Sequence, residues 1–442
     1  MKQAFYLLYS TCILSVFFSS CKSGAINLFK PGSPHEEYQR KLTAAGLDQT
    51  AMGMSWSSAA SQSLSKALPI KLPYKENGYF AAERIPATAF RFETKRGQKI
   101  NVNLTKTSAE PMMIYLDIWQ QKANGTLKLS HSADTTGRPL QFDADDDGTY
   151  LIRLQPELLR SGAYTLEITS GPSLGFPVGG QAKANIGSFF GDGRDENSRK
   201  HEGIDIFSKF HTPVVAAASG TVVRVNENNL GGRVVWMRPT GKDYTLYYAH
   251  LDKQTTTEGQ QVKPGDTLGL MGNTGNAKNT PPHLHFGIYT SAGAIDPLAF
   301  VNPKTQTPPK VTAALQQLNT TVRTASKINL LNSPGAESAK TPLPSSTILY
   351  VNAAAQDFYK VQLPDGSTGF VNSKATAKLN TTLRKIRISN SSMLGYDRPD
   401  AMAAVKMTFE KGTTLGVLGT FADYLLVSDS NNATAWIAEN AL

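Results

Sequence analysis

The stretch KHEGIDIF, residues 200–207, sets His201 and Asp205 four residues apart around Gly203, in a chain with only seven histidines. On a helix, a glutamate between two histidines would form a zinc motif. Here the fifth position is Asp205, and Gly203 followed by IDIF reads as a loop entering a strand. A bend at Gly203 would let His201 and Asp205 reach one ion, whose donors must sit within ~2.1 Å of it.

Downstream, PPHLHFGIY (281–289) supplies His283 and His285, and LYYAHLD (246–252) supplies His250. On a strand, residues two apart point to the same side, so His283 and His285 would face one site together. Any one of these histidines alone is as readily a core or surface residue. Four of the seven nevertheless fall in three short, strand-bounded motifs, whereas His35, His131 and His211 have no such setting. Catalytic zinc keeps three protein ligands and an open position, whereas structural zinc closes its shell, commonly with cysteine. No cysteine lies near these motifs, which argues for the open kind. Spacing alone does not say which member of HLH would bind the metal.

Together, HEGID, YYAHL and HLHFGI resemble the motifs of the lysostaphin-type (LytM-like) zinc endopeptidases. The text between them follows the family's order: TPVVAAASGTVV (212–223), GGRVVWM (231–237), GQQVKPGDTLGLMGNTGN (259–276) and IDPLAF (295–300). The resemblance covers about residues 176–301. It implies an antiparallel β-sheet with Zn2+ (one per peptidase domain) at the floor of a groove, held by His201, Asp205 and His285. It further implies that His250 and His283 stay unligated and act in catalysis on a metal-activated water. One departure stands out. Some relatives place a tyrosine shortly before the first zinc ligand, and FFGDGRDENSRK (189–200) has none; Asn197 is the polar residue in its place, read as a loop residue.

Around this unit the 442 residues require about three or four domains. Gly and Pro are plentiful and long helical periodicity is scarce, so the fold class is mostly β and multi-domain. Residues 1–20, with Lys2 before an apolar run, read as a signal peptide too short for a comfortable span. FFSSC (17–21) resembles a bacterial lipobox with Phe18 in place of the usual Leu, which would make Cys21 a lipid anchor. Cys12 would leave with the signal, so the mature chain has no internal disulfide. Residues 21–71 read as a lipid-anchored tether and helical spacer, opening with the capping-box pattern of Ser33, Pro34 and Glu36.

Alternating stretches between 72 and 171, about eight short strands, make an antiparallel β-sandwich, and FDADDDGTYLIRLQPELLRSGAYTLEI (142–168) resembles jelly-roll domains of secreted peptidases. The aspartates 143 and 145–147 fit either a calcium site or a solvated turn. The peptidase domain takes residues 172–302 and a Pro-rich linker 303–321. Two small modules follow, 322–379 and 380–442. KVQLPDGSTGFV (360–371) reads as strand, Asp-Gly turn, strand, and the modules resemble bacterial Src-homology-3-like (SH3-like) barrels.

The net charge of +10 suits acidic polymers such as cell wall, but no Lys/Arg run interleaved with aromatics supports nucleic-acid binding. The expected protein is an exported lipoprotein, anchored in the outer membrane facing the periplasm, that hydrolyses peptide cross-links of peptidoglycan. The competing expectation is a catalytically silent cell-wall-binding regulator of other hydrolases. Such relatives typically lose metal ligands, and all five expected positions are present here.

Overall fold

Every second side chain of the strand Tyr74–Phe80 is buried, the period-two pattern of a sheet with one face on a core. This structure, a computed structural model, describes residues 32–180, 184–194, 196–335, 340–389 and 392–441. The signal segment and Cys21 therefore lie outside the described residues. Among the described residues, no helix is long and apolar enough to cross a membrane.

Two sheets face each other over residues 68–172. One has the order Leu68–Pro69, Thr88–Thr94, Gly148–Pro156, Ile114–Gln121, Leu127–Ser132. The other pairs Tyr74–Phe80, Gly162–Pro172, Gln98–Thr107 and Leu140–Asp143. Phe90, Ile100, Ile118, Ile152, Leu166 and Ile168 fill the space between them with no exposed surface. Each such side chain contributes roughly 1.5–3 kcal/mol of burial.

Helix α1 (Pro34–Ala44) begins with the expected capping box: Ser33 Oγ accepts from the Glu36 N–H, and Glu36 reaches back to the Ser33 N–H. Helix α2 spans Ala51–Ser65. Neither stands apart as a spacer. Trp56 on α2 is buried against Leu42 and Tyr115, and its Nε1–H donates to the Pro156 carbonyl at 2.9 Å. The apolar positions are too few for a helix pair to stand alone, and docking on the sandwich buries them.

The first C-terminal module is joined to the sandwich by its backbone. Its strand Ile348–Ala355 pairs with Tyr74–Phe80 (Asn77↔Ala354, Gly78↔Ala353), making one eleven-stranded sheet. Glu76 and Lys360 form an ion pair at 2.8 Å across this junction, both almost wholly buried. The Tyr74 and Tyr164 hydroxyls also donate to Glu76. Phe358–Gln362 and Thr368–Asn372 form the expected Asp-Gly hairpin. Part of the linker serves this module's core, since Ala313 is buried there. The last six strands form a separate sheet with its own core around Leu415, Val417 and Val427.

Residues 185–295 build a ten-stranded sheet. Its central order is Ile204–Phe207, His283–Thr290, Thr245–Gln254, Gly232–Pro239, Gly220–Asn228, all antiparallel neighbours. Ile204, Ile206, Leu284, Phe286 and Ile288 are fully buried behind it.

Candidate metal centre

The three sequence motifs meet on this sheet because of its register. Asp205 lies directly opposite His285, and Phe207 opposite His283, on adjacent antiparallel strands. Ala249 pairs with the other side of His285, which brings His250 to the same end. Residues directly opposite hold their Cβ atoms about 4.5–5.5 Å apart, so the register alone delivers a carboxylate to an imidazole. His201 arrives from the preceding loop through the bend at Gly203. A Cβ at Gly203 would stand 2.5 Å from the Phe286 carbonyl oxygen and 2.8 Å from the His285 ring. A side chain at 203 is therefore incompatible with the bend.

His201 Nε2 lies 3.0 Å from Asp205 Oδ1 and 2.9 Å from His285 Nδ1, and His285 Nδ1 lies 3.1 Å from Asp205 Oδ1. These separations are close to those between neighbouring donors around one tetrahedral ion with bonds of ~2.1 Å. The donor set of two imidazoles and a carboxylate, without sulfur, suits zinc. Among the described residues, this is the group of three whose donor atoms converge for a metal ion.

His250 and His283 stand beside these donors, their ring centroids 4.9 Å apart, and His283 Nε2 lies 4.0 Å from Asp205 Oδ1. Backbone carbonyls set the tautomers. A carbonyl only accepts, so Nδ1–H donates from His201 to Phe189, from His250 to Thr274 and from His283 to Pro281, at 2.8–2.9 Å. Each ring is thereby left with a bare Nε2. His285 differs, turning Nδ1 toward the donors. His250 holds a left-handed backbone (φ 63), and its N–H donates to the Gly231 carbonyl, next to an irregularity in the strand pairing. Such irregularities re-aim side chains at functional sites.

The electrostatics agree with a cation site. Burial opposes the charge of Asp205, but the adjoining His201 and His285 rings outweigh it and hold the carboxyl well below its ordinary range. Burial lowers His285, and burial with repulsion from His283 and His285 lowers His250 to about 4. Neutral imidazoles beside an anionic carboxylate are the protonation states that metal ligation requires.

All five residues picked from the sequence come together. Asn197 does not join them; it is exposed on the turn between Gly193–Arg194 and Arg199–Lys200. The sequence did not single out Arg194, whose Nη2 donates to Asp205 Oδ2 at 2.9 Å. It lies in a two-residue strand too short to give a periodic signal, so only the folded hairpin brings it to the carboxylate. The aspartates 143 and 147 are engaged by lysines, Lys242 with Asp143 and Lys95 with Asp147, each at 2.9 Å.

The fold and the converging donors define a β-sheet domain with a candidate metal centre of two histidines and an aspartate. Residues 199–297 match the model of Peptidase family M23. An uncharacterized metalloprotease of Haemophilus influenzae is 38% identical over 130 residues, covering 28% of this chain and 27% of that protein. An L-Ala–D-Glu endopeptidase of Bacillus subtilis is 34% identical over 126 residues, covering 27% of this chain and 38% of that protein. The chain thus spans well under half the length of these relatives. Among solved structures, the catalytic domain of the antimicrobial peptidase lysostaphin from Staphylococcus simulans is 30% identical with a TM-score of 0.25, covering 27% of this chain and 92% of that one.

Proposed function

We propose that this protein is a zinc-dependent endopeptidase that hydrolyses peptide cross-links of peptidoglycan. The observation that carries the reading is the meeting of His201, Asp205 and His285 with two further histidines whose Nε2 atoms are bare. The L-Ala–D-Glu endopeptidase among the relatives supports a peptide substrate that contains D-amino acids, as peptidoglycan stems do. His201, Asp205 and His285 would hold the metal. Zinc supplies Lewis acidity for the scissile carbonyl and lowers the pKa of water to about 7.

The chain's own groups do the rest. His250 and His283, with Nδ1 committed to carbonyls, present Nε2 to accept a proton from the attacking water and later carry it to the leaving amine. In its protonated form either ring donates to the tetrahedral oxyanion, the task left open by the absent tyrosine. Arg194 fixes the carboxylate of Asp205 from behind. The apolar wall beneath the sheet keeps these groups from turning away. In this reading the modules 322–379 and 380–442 are SH3-like wall-contacting units, and lipidated Cys21 holds the protein at the outer membrane facing the periplasm.

The test is digestion of isolated cross-linked sacculi by the purified protein, with and without a zinc chelator, and with His283→Ala as control. Chelator-sensitive loss of cross-linked dimers, absent in the variant, is expected, and mass analysis of the fragments names the bond. Binding to sacculi without cleavage by the zinc-loaded protein would turn the assignment to a regulator.

A further inference from the structure

Helix α2, the sandwich edge and the first C-terminal module line an open cleft of about 590 Å3 that includes none of the five residues of the candidate metal centre. Clefts of ~300–1,000 Å3 are the size that takes small ligands. Its module wall is a cross-strand row: Tyr350 pairs with Gln362, and Gln362 with Thr368. Asn352 joins them from a register irregularity between Val351 and Ala353, where the extra residue is turned out of the ladder. The side-chain amides of Asn352 and Gln362 have no hydrogen-bond partner among the described residues, although both line the cavity.

The opposite wall is the polar face of α2, with Ser55, Ser58 and Gln62. This face looks into open space instead of onto a core, which accounts for the Ser- and Ala-rich composition of the helix. Tyr79 lines the sandwich side.

The charges in the cavity are largely committed. Lys360 is paired with Glu76, and the Arg84 guanidinium lies 3.3 Å over the Tyr350 ring. Lys66 and Glu83 also line it. A ligand rich in carboxylates would find little free countercharge. One rich in hydroxyl and acetamido groups would find amides and hydroxyls to bond and a tyrosine face for the apolar side of a pyranose ring.

We infer that this cavity is a saccharide-binding site for a chain of N-acetylated amino sugars, separate from the metal centre and served by Asn352, Gln362 and Tyr79. The inference builds on the peptidoglycan reading, because such a site would seat a glycan strand while the metal centre meets its peptides.

The test is calorimetric titration of the full chain with three probes: peptidoglycan glycan strands stripped of their peptides, an N-acetylglucosamine tetrasaccharide, and the free stem tetrapeptide. Saturable binding of the stripped strands is expected, and binding of the tetrasaccharide as well would show that the site reads the shared amino-sugar chemistry. Ser58→Trp places a large side chain at an exposed helix position facing the cavity, and should weaken strand binding about tenfold or more by removing contact area. Its melting temperature reports that the fold is intact, and the double variant Asn352→Ala, Gln362→Ala should weaken binding without adding bulk. Strands that fail to bind, or that bind all variants equally, overturn the proposal, as does preferential binding of the tetrapeptide. His283→Ala separates the two readings: it should bind strands as the parent does while cleaving nothing, so loss of peptidase activity alone leaves the cavity assignment standing.

Discussion

Asp205 and His285 face each other across adjacent antiparallel strands, Oδ1 to Nδ1 at 3.1 Å, so the strand register itself sets two donors of the candidate metal centre side by side. A slip of either strand by one residue would turn its side chain to the opposite face and break the pair. Asp205→Ala removes the anionic donor and leaves two imidazoles, and the purified variant should retain little zinc where the parent holds about one ion per chain. Inductively coupled plasma mass spectrometry after dialysis reads this directly. Full zinc content in the variant would mean that the ion sits elsewhere.

His250 and His283 should separate binding from chemistry. Neither is needed to hold the ion in the proposed arrangement, so His283→Ala and His250→Ala should keep zinc and lose about 10²–10⁴-fold in cleavage rate. The metal-free protein offers a second check. Burial and the neighbouring imidazoles should give His250 an NMR titration midpoint of about 4, against 6.5 for a free side chain. The neutral, proton-accepting form would then persist through the whole neutral range and be lost only in acid.

Gly203 is predicted to tolerate no side chain. In Gly203→Ala, the added methyl meets the Phe286 carbonyl and the His285 ring, and both belong to a buried strand that cannot yield cheaply. Zinc content and activity should fall together while far-UV circular dichroism stays β-rich. An active, zinc-loaded variant would show that the loop has another path.

The Glu76–Lys360 pair predicts an energetic asymmetry. Lys360→Met leaves a wholly buried carboxylate without its cation, at a cost of about 3–5 kcal/mol. Combining it with Glu76→Gln should recover much of that, because the remaining groups are neutral and the Tyr74 and Tyr164 hydroxyls still have an acceptor. Chemical denaturation of the single and double variants measures the coupling. Strict additivity would refute it.

What the sequence disclosed follows from how local each signal is. The HEGID and HLHF spacings are encoded within a few residues, so the candidate metal centre was legible in outline. The choice of His285 over His283 as ligand is what the family resemblance implies; the register places His285 opposite Asp205. The capping box at Ser33 was readable for the same local reason. The fusion of sandwich and module was not. Glu76 and Lys360 are 284 positions apart, and an edge strand does not carry the name of its partner. Nor was the docking of the helices, because a Ser/Ala-rich segment with a single tryptophan reads as spacer until Trp56 is seen under the sandwich.

That docking carries the last prediction. His35 on α1 is buried, stacked on Trp56 at 4.5 Å, with Nε2 2.6 Å from Gln155 Oε1. Burial lowers its pKa below 6.5, and repulsion from Arg153 acts the same way against weaker opposing effects of Gln155, Asp117 and Glu36. The unfolded chain therefore binds a proton at a pH where the folded chain resists it, so stability rises with pH across that window. Above about pH 6.5 both states are neutral and the contribution is flat. As pH falls through 6.5 toward the folded value, α1 should loosen from the sandwich. Hydrogen exchange of the α1 amides, corrected for intrinsic rates, should accelerate between pH 7 and 5 in the parent. In His35→Gln, which has no charge to gain, protection should be lower throughout and insensitive to pH over the same range. Equal pH sensitivity in the two would assign the effect to another group.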